Sequence, residues 1–159
     1  MAKRSWKTYA FWILLTEAVG GLSGLLSRKG MRLYMETAAK PPLNPPPWVF
    51  PVAWGLLYAL MGTVAARISL RPAGRERSRD LSLYLTQLGV NFFWSIIFFR
   101  WQLYGGALLW LLGLWGVELW LLLRLRRPDP LGAKLLIPYQ LWLTFALYLN
   151  AGVFLLNRG

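Results

Sequence analysis

Lys40-Pro41-Pro42-Leu43-Asn44-Pro45-Pro46-Pro47-Trp48-Val49-Phe50-Pro51-Val52-Ala53-Trp54 is the stretch that decides the fold. Proline fills five of its first eight positions. Each ring fixes φ and removes an N–H donor, so no helix forms before Pro47. Pro47 or Pro51 then fits the first turn of the apolar run that follows, where N–H groups have no intrahelical partner anyway. A stiff, non-helical segment therefore leads into a helix carrying Trp54.

Working outward, the chain holds four more apolar runs. Its 159 residues are 57% hydrophobic and 15% charged, against roughly 45–50% and about 25% for a soluble domain. Runs of about 20 apolar residues are long enough to cross a bilayer as helices. They do not alternate as the strands of a membrane barrel do. The expected fold is an all-α membrane protein, a five-transmembrane-helix bundle forming one domain over residues 1–159. Its spans are expected near 9–26, 48–68, 81–99, 103–123 and 135–156, with residues 27–47 as a loop over the bundle.

The net charge is +12, yet the basic residues flank the spans, where they meet lipid headgroups and set topology rather than bind nucleic acid. With the N-terminus inside, twelve Lys and Arg lie on the inner side and six on the outer. That bias predicts an inside N-terminus, an outside C-terminus and a bacterial plasma membrane. Glu17 interrupts the first run, which reads as a retained span rather than a cleaved signal. The chain has no cysteine and no histidine. Disulfides, thiol chemistry and the commonest metal ligand, haem ligand and general base are thereby excluded. No metal site and no required cofactor are expected.

In lipid, polar, small and aromatic residues mark the faces that helices turn toward each other. Tyr84, Gln87, Asn91, Trp94 and Ser95 recur at steps of three and four, so they share a face of the third span. Trp54, Tyr58, Met61 and Ala65 form a stripe on the second, and Tyr139, Trp142, Ala146 and Asn150 on the fifth. Such walls suit a flat apolar cavity, and they suit core packing equally. Asn91, near mid-membrane, points into the bundle to pair its amide, with a neighbouring helix or with a ligand. Gly20 and Gly24 have GxxxG spacing, which permits close helix approach within or between chains. Glu17 and Glu118 are the acids well inside spans. Glu17 is a functional candidate, and Glu118 is expected to snorkel toward the arginines ending span four.

The spaced motifs resemble the TspO/translocator protein family, also called the peripheral benzodiazepine receptor or tryptophan-rich sensory protein family. They are Lys40-Pro41-Pro42 through Pro45-Pro46, Trp48-Val49-Phe50-Pro51 with Trp54 and Tyr58, Asn91 through Trp94-Ser95, and Pro138-Tyr139 with Trp142, Ala146 and Asn150. The resemblance implies a homodimer whose first loop closes an intramembrane pocket for porphyrins, haem-like tetrapyrroles and isoquinoline or benzodiazepine ligands. Carried over by position, the pocket comprises Pro45, Phe50, Trp54, Tyr58, Asn91, Trp94, Ser95, Trp142 and Ala146. Family members often carry Trp-Tyr five or six residues before the loop lysine. Here Tyr34 stands six and Met35 five before Lys40, so a one-residue shift adds Tyr34 to the pocket. The sterol motif of animal members needs a tyrosine where Ala151 stands, and Tyr148 does not fit its spacing to Arg158.

Three functions compete at this level. The first is a sensor or translocator that binds a porphyrin, or another apolar small molecule, against Trp54 and Trp142. The second is an enzyme that degrades protoporphyrin in light and oxygen through those tryptophans, as the resemblance implies for some bacterial relatives. No acid–base pair supports dedicated catalysis. The third is a bundle acting through protein partners or membrane lipid.

Overall fold

The computed structural model describes residues 2–46 and 48–157, with side chains from Ser5 onward. Pro47, one of the two expected first-turn prolines, and Arg158 lie outside the described residues.

The order is α1 (Ala2–Leu26), α2 (Arg28–Thr37), α3 (Val49–Ser69), α4 (Arg75–Ser95), a π-helical turn (Ile96–Arg100), α5 (Tyr104–Leu125) and α6 (Pro130–Asn157). Among the described residues, five helices are long and apolar enough to cross a membrane: Ser5–Leu26, Val49–Ser69, Arg75–Arg100, Tyr104–Leu125 and Pro130–Asn157. The chain is therefore an all-α, multi-pass integral membrane protein. Helix α1 packs chiefly on α3, α5 on α6 and α4, and α3 also on α6.

Four boundaries differ from the sequence reading, the first being that α1 already starts at Ala2 rather than near 9. Residues 28–37, expected as loop, form α2. Its C-terminus is capped by Lys40, whose ammonium donates to the Met35 carbonyl at 3.0 Å and the Ala38 carbonyl at 2.8 Å, where cations suit the helix dipole. The last span starts at Pro130 rather than 135. Pro130 is its first helical residue, and Asp129 before it accepts the Gly132 N–H at 3.2 Å, so what reads as a chain break is a capped helix start. The third span begins at Arg75 and ends in the π turn, closed by Trp101 N–H to Ile96 carbonyl at 2.9 Å. That turn puts neighbouring Phe98 and Phe99 both inside. Pro51 sits in the first turn of α3, as expected.

Two glycines set how closely α1 and α3 approach. A Cβ on Gly62 would lie 2.5 Å from the Ile13 Cα, so Gly62 lets α1 and α3 meet backbone to backbone. A Cβ on Gly20 would lie 2.0 Å from the Tyr58 ring. The close approach at Gly20 is thus within the chain, while Gly24 faces open space.

One end of the bundle is tied by ions. Arg67 holds Asp129 with two bonds of 2.8 and 2.7 Å. Asp80 joins Arg71 at 2.9 Å to Arg124 at 2.6 Å, and Arg124 also reaches Glu76 at 2.9 Å. Arg67 beside Asp129 holds that carboxyl below the usual carboxylate range.

Candidate ligand-binding site

The described residues enclose two spaces that share a wall. The smaller, about 20 Å³, is lined by Tyr34, Phe50, Trp54, Trp94, Phe98, Phe99, Trp142, Ala146, Leu149 and Asn150. At that volume it holds little more than one water. The larger, about 630 Å³, lies between α1, α2, α3 and the π turn. Its wall includes Glu17, Gly20, Gly21, Gly24, Arg28, Arg32, Met35, Phe50, Trp54, Tyr58 and Ser95. That size is within the range of small-molecule sites, about 300–1,000 Å³. Phe50, Trp54 and Phe99 face both spaces.

The aromatic stripes build the partition. Trp54 stacks on Tyr58 (centroids 5.4 Å, planes 25°) and meets Trp142 edge-on at 5.9 Å. Phe50 also meets Trp142 edge-on, at 6.2 Å. Trp94 stacks on Phe98 at 5.2 Å and donates its indole N–H to Asn150 at 3.1 Å. The buried Trp142 indole N–H has no partner.

The expected residues divide into groups. Tyr34, Trp94, Trp142 and Ala146 line the small space alone; Tyr58 and Ser95 line the large one; Phe50 and Trp54 line both. Pro45 and Asn91 line neither. Pro45 stays in the proline segment, where its carbonyl accepts from Asn44 at 3.3 Å. Asn91 is buried, and its amide is spent inside the protein: it accepts from Tyr58 at 3.1 Å and donates to Tyr139, which itself donates to Gln87 at 3.0 Å. This polar chain ties α3, α4 and α6 together at depth, where an unpaired amide is costly.

The register around Tyr34 and Met35 follows from α2 being helical. Successive helix positions diverge by about 100°, so Tyr34 faces the small space and Met35 the large one. Tyr34 is buried between Phe98 and Phe99, donates to Asn44 at 3.0 Å and lies under the Lys40 ammonium at 5.1 Å. Burial, then the nearby Tyr104 phenol, push its hydroxyl up to about 12, so it remains a neutral donor that pins the proline segment.

The acids also differ from expectation. Glu118 does not snorkel: it is fully buried and both carboxyl oxygens lack a partner. The Arg124 guanidinium goes instead to Asp80 and Glu76. Glu17 is half-buried on the wall of the large cavity. The proline segment lies on α6, where Tyr148 donates to the Pro42 carbonyl at 2.6 Å and Asn157 exchanges two bonds with Ala39. The sequence reading missed Gly21, Gly24, Arg28, Arg32 and Met35 as cavity residues. Arg28, Arg32 and Glu36 at steps of four were the available signal, a single face of a short helix.

Five spans, a proline segment over an aromatic partition and the order of these motifs agree with one profile. The sequence profile of the TspO/MBR family matches residues 12–156. The chain belongs to the TspO/MBR family. Tryptophan-rich protein TspO of Chlorobaculum tepidum is 34% identical over 152 residues, covering 94% of this chain and 96% of the relative. Protein CrtK of Rhodobacter capsulatus is 34% identical over 143 residues, covering 89% and 88%. Translocator protein of Homo sapiens is 35% identical over 133 residues, covering 82% and 78%.

Proposed function

We propose that this TspO/MBR family member is a membrane sensor or translocator that binds porphyrins and haem-like tetrapyrroles, and isoquinoline or benzodiazepine ligands of similar flatness. The observation that carries this is the 630 Å³ cavity walled by Trp54, Phe50, Tyr58 and Phe99, with Arg28 and Arg32 on α2 at its side. Flat aromatic walls favour a planar ring system through stacking and loss of apolar surface. The two guanidiniums suit the carboxylates that a porphyrin carries, by charge-assisted hydrogen bonds. Glu17 and Glu36 share the wall and oppose a third carboxylate, which orients the ring with its acids toward the arginines. Histidine and cysteine are absent from the chain, so a free-base or weakly ligated ring fits better than a tightly ligated haem.

The same proposal places the ligand mainly in the large cavity, with the small space behind Trp54 as an extension that opens if the indole turns. It also includes a homodimer, a bacterial plasma membrane and an inside N-terminus, the last supported by the charge bias.

Protoporphyrin IX titrated into the purified protein, read by tryptophan quenching and Soret shift, tests the reading. Saturable one-to-one binding that Trp54→Ala weakens is the expected result. Binding that Trp54→Ala and Arg28→Gln/Arg32→Gln both leave unchanged removes this site.

A further inference from the structure

A third cavity, about 490 Å³, lies on the outside of the junction between the end of α1, the start of α2 and the π turn. It is lined by Leu25, Leu26 and Leu33 with Phe99, and by the cations Arg28, Lys29 and Arg100. No acid lines it. None of the three cations has a hydrogen bond or ion pair among the described residues. The other end of the bundle is the opposite case, where Arg67, Arg71 and Arg124 are all matched by carboxylates.

The backbone segments that carry Lys29 and Arg100 are held together. Gly30 packs on the π turn so closely that a Cβ there would lie 2.0 Å from the Phe99 carbonyl oxygen. Lys29 and Arg100, the neighbours of those two residues, are thereby held beside one groove. Leu25, Leu26 and Leu33 are exposed, and so is Trp101 next to Arg100. Exposed leucines belong in acyl chains, and an exposed tryptophan marks the headgroup level. The groove thus presents an apolar floor at the end of the first span and a positive rim without an ion-pair partner.

We propose that this groove binds an anionic phospholipid of the surrounding leaflet. Its phosphate-bearing headgroup sits among Arg28, Lys29 and Arg100, and one acyl chain lies along Leu25, Leu26 and Leu33. Arginine and lysine at an interface attract anionic headgroups over zwitterionic ones, and a bidentate guanidinium suits a phosphate. Arg28 lines this groove and the large cavity alike, so lipid and ligand share one wall of α2.

The test uses the full chain in mixed vesicles or nanodiscs, with phosphatidylglycerol and phosphatidylcholine of identical chains, read by native mass spectrometry. The Lys29→Gln/Arg100→Gln variant changes residues that touch the groove and not the large cavity. The wild type is expected to retain phosphatidylglycerol, with the preference falling roughly tenfold in the variant, and Arg126→Gln/Arg127→Gln at the other end leaving it intact. Protoporphyrin affinity is expected to stay the same in the Lys29/Arg100 variant, so this site and the tetrapyrrole site fail separately. Equal retention of both lipids, or an unchanged preference in the variant, overturns the proposal. Displacement of the lipid by inorganic phosphate reassigns the groove to a small anion, and stoichiometric displacement by protoporphyrin reassigns it to the tetrapyrrole site; either outcome also overturns it.

Discussion

The Trp54 indole meets the Trp142 indole edge-on, with centroids 5.9 Å apart and planes at 83°. Trp54 faces both the 630 Å³ cavity and the 20 Å³ space, whereas Trp142 faces only the latter. The two tryptophans that look equivalent in the sequence are therefore a front wall and a back wall. Removing Trp54 strips a stacking surface from the ligand and merges the two spaces. Trp54→Ala is expected to weaken protoporphyrin binding by roughly tenfold, from a loss of about 1–2 kcal/mol of ring contact. Trp142→Ala is expected to cost less. Equal losses in parallel titrations would show that the ring reaches the back space.

Gly24 lines the large cavity, and a Cβ there meets nothing within 4 Å. Gly24→Leu is expected to fill part of the cavity without displacing the bundle. Helix stability should rise by up to about 1 kcal/mol, because glycine is a poor helix former. A thermal midpoint held or raised together with weaker ligand binding is the expected pair of readings. Undiminished affinity would place the ligand elsewhere.

Asp129 gives the fold a predictable acid dependence. Its carboxyl is held below the usual range, first by hydrogen bonding from Arg67. A lowered folded value means the stabilisation is complete above the ordinary aspartate value of about 3.9 and is lost as pH falls through the lower folded one. Detergent-solubilised protein is expected to lose thermal stability in that acid window, with Asp129→Asn flattening the loss. At neutral pH the same substitution should cost about 1–3 kcal/mol, since it weakens a two-bond ion pair and the cap of α6. An identical acid slope in the variant contradicts the assignment.

The proline segment is locked to α6 through a glycine. A Cβ on Gly152 would lie 2.6 Å from the Pro41 ring. Gly152→Leu is expected to lift the segment from α6 and break the Tyr148–Pro42 and Asn157–Ala39 bonds. Amide exchange at residues 38–46 should then speed up while the spans stay protected. Faster ligand association would accompany it if the segment gates entry. Unaltered exchange would mean that the rings repack around the leucine.

Glu118 is fully buried, and neither carboxyl oxygen has a partner. Along α5 it lies between Trp115, which donates to Thr144 on α6, and Arg124, which donates to Asp80 on α4. A buried polar group without a partner costs about 1–3 kcal/mol. Glu118→Leu, of similar volume, is therefore expected to raise the thermal midpoint, and Glu118→Gln to leave the fold intact. A marked drop for Glu118→Leu would show that the carboxyl is used.

Much of this was legible in the residues alone. A bilayer demands about 20 apolar residues per helix and forbids unpaired backbone, so five apolar runs determine five helices. Proline chemistry determines where the chain cannot be helical. The three- and four-residue steps of Trp54 and Tyr58, or Asn91 and Trp94, place side chains on inward faces. Periodicity along one helix carries no distance to the next. Only the packed bundle decided that Asn91 is consumed by Tyr58 and Tyr139, that Glu118 is sealed in while Glu17 meets a cavity, and that residues 28–37 form a helix whose successive side chains face different spaces. Above all, the roomy cavity lies in front of Trp54 and not between it and Trp142, because Gly21 and Gly24 leave volume on α1 that the aromatic rings behind Trp54 do not.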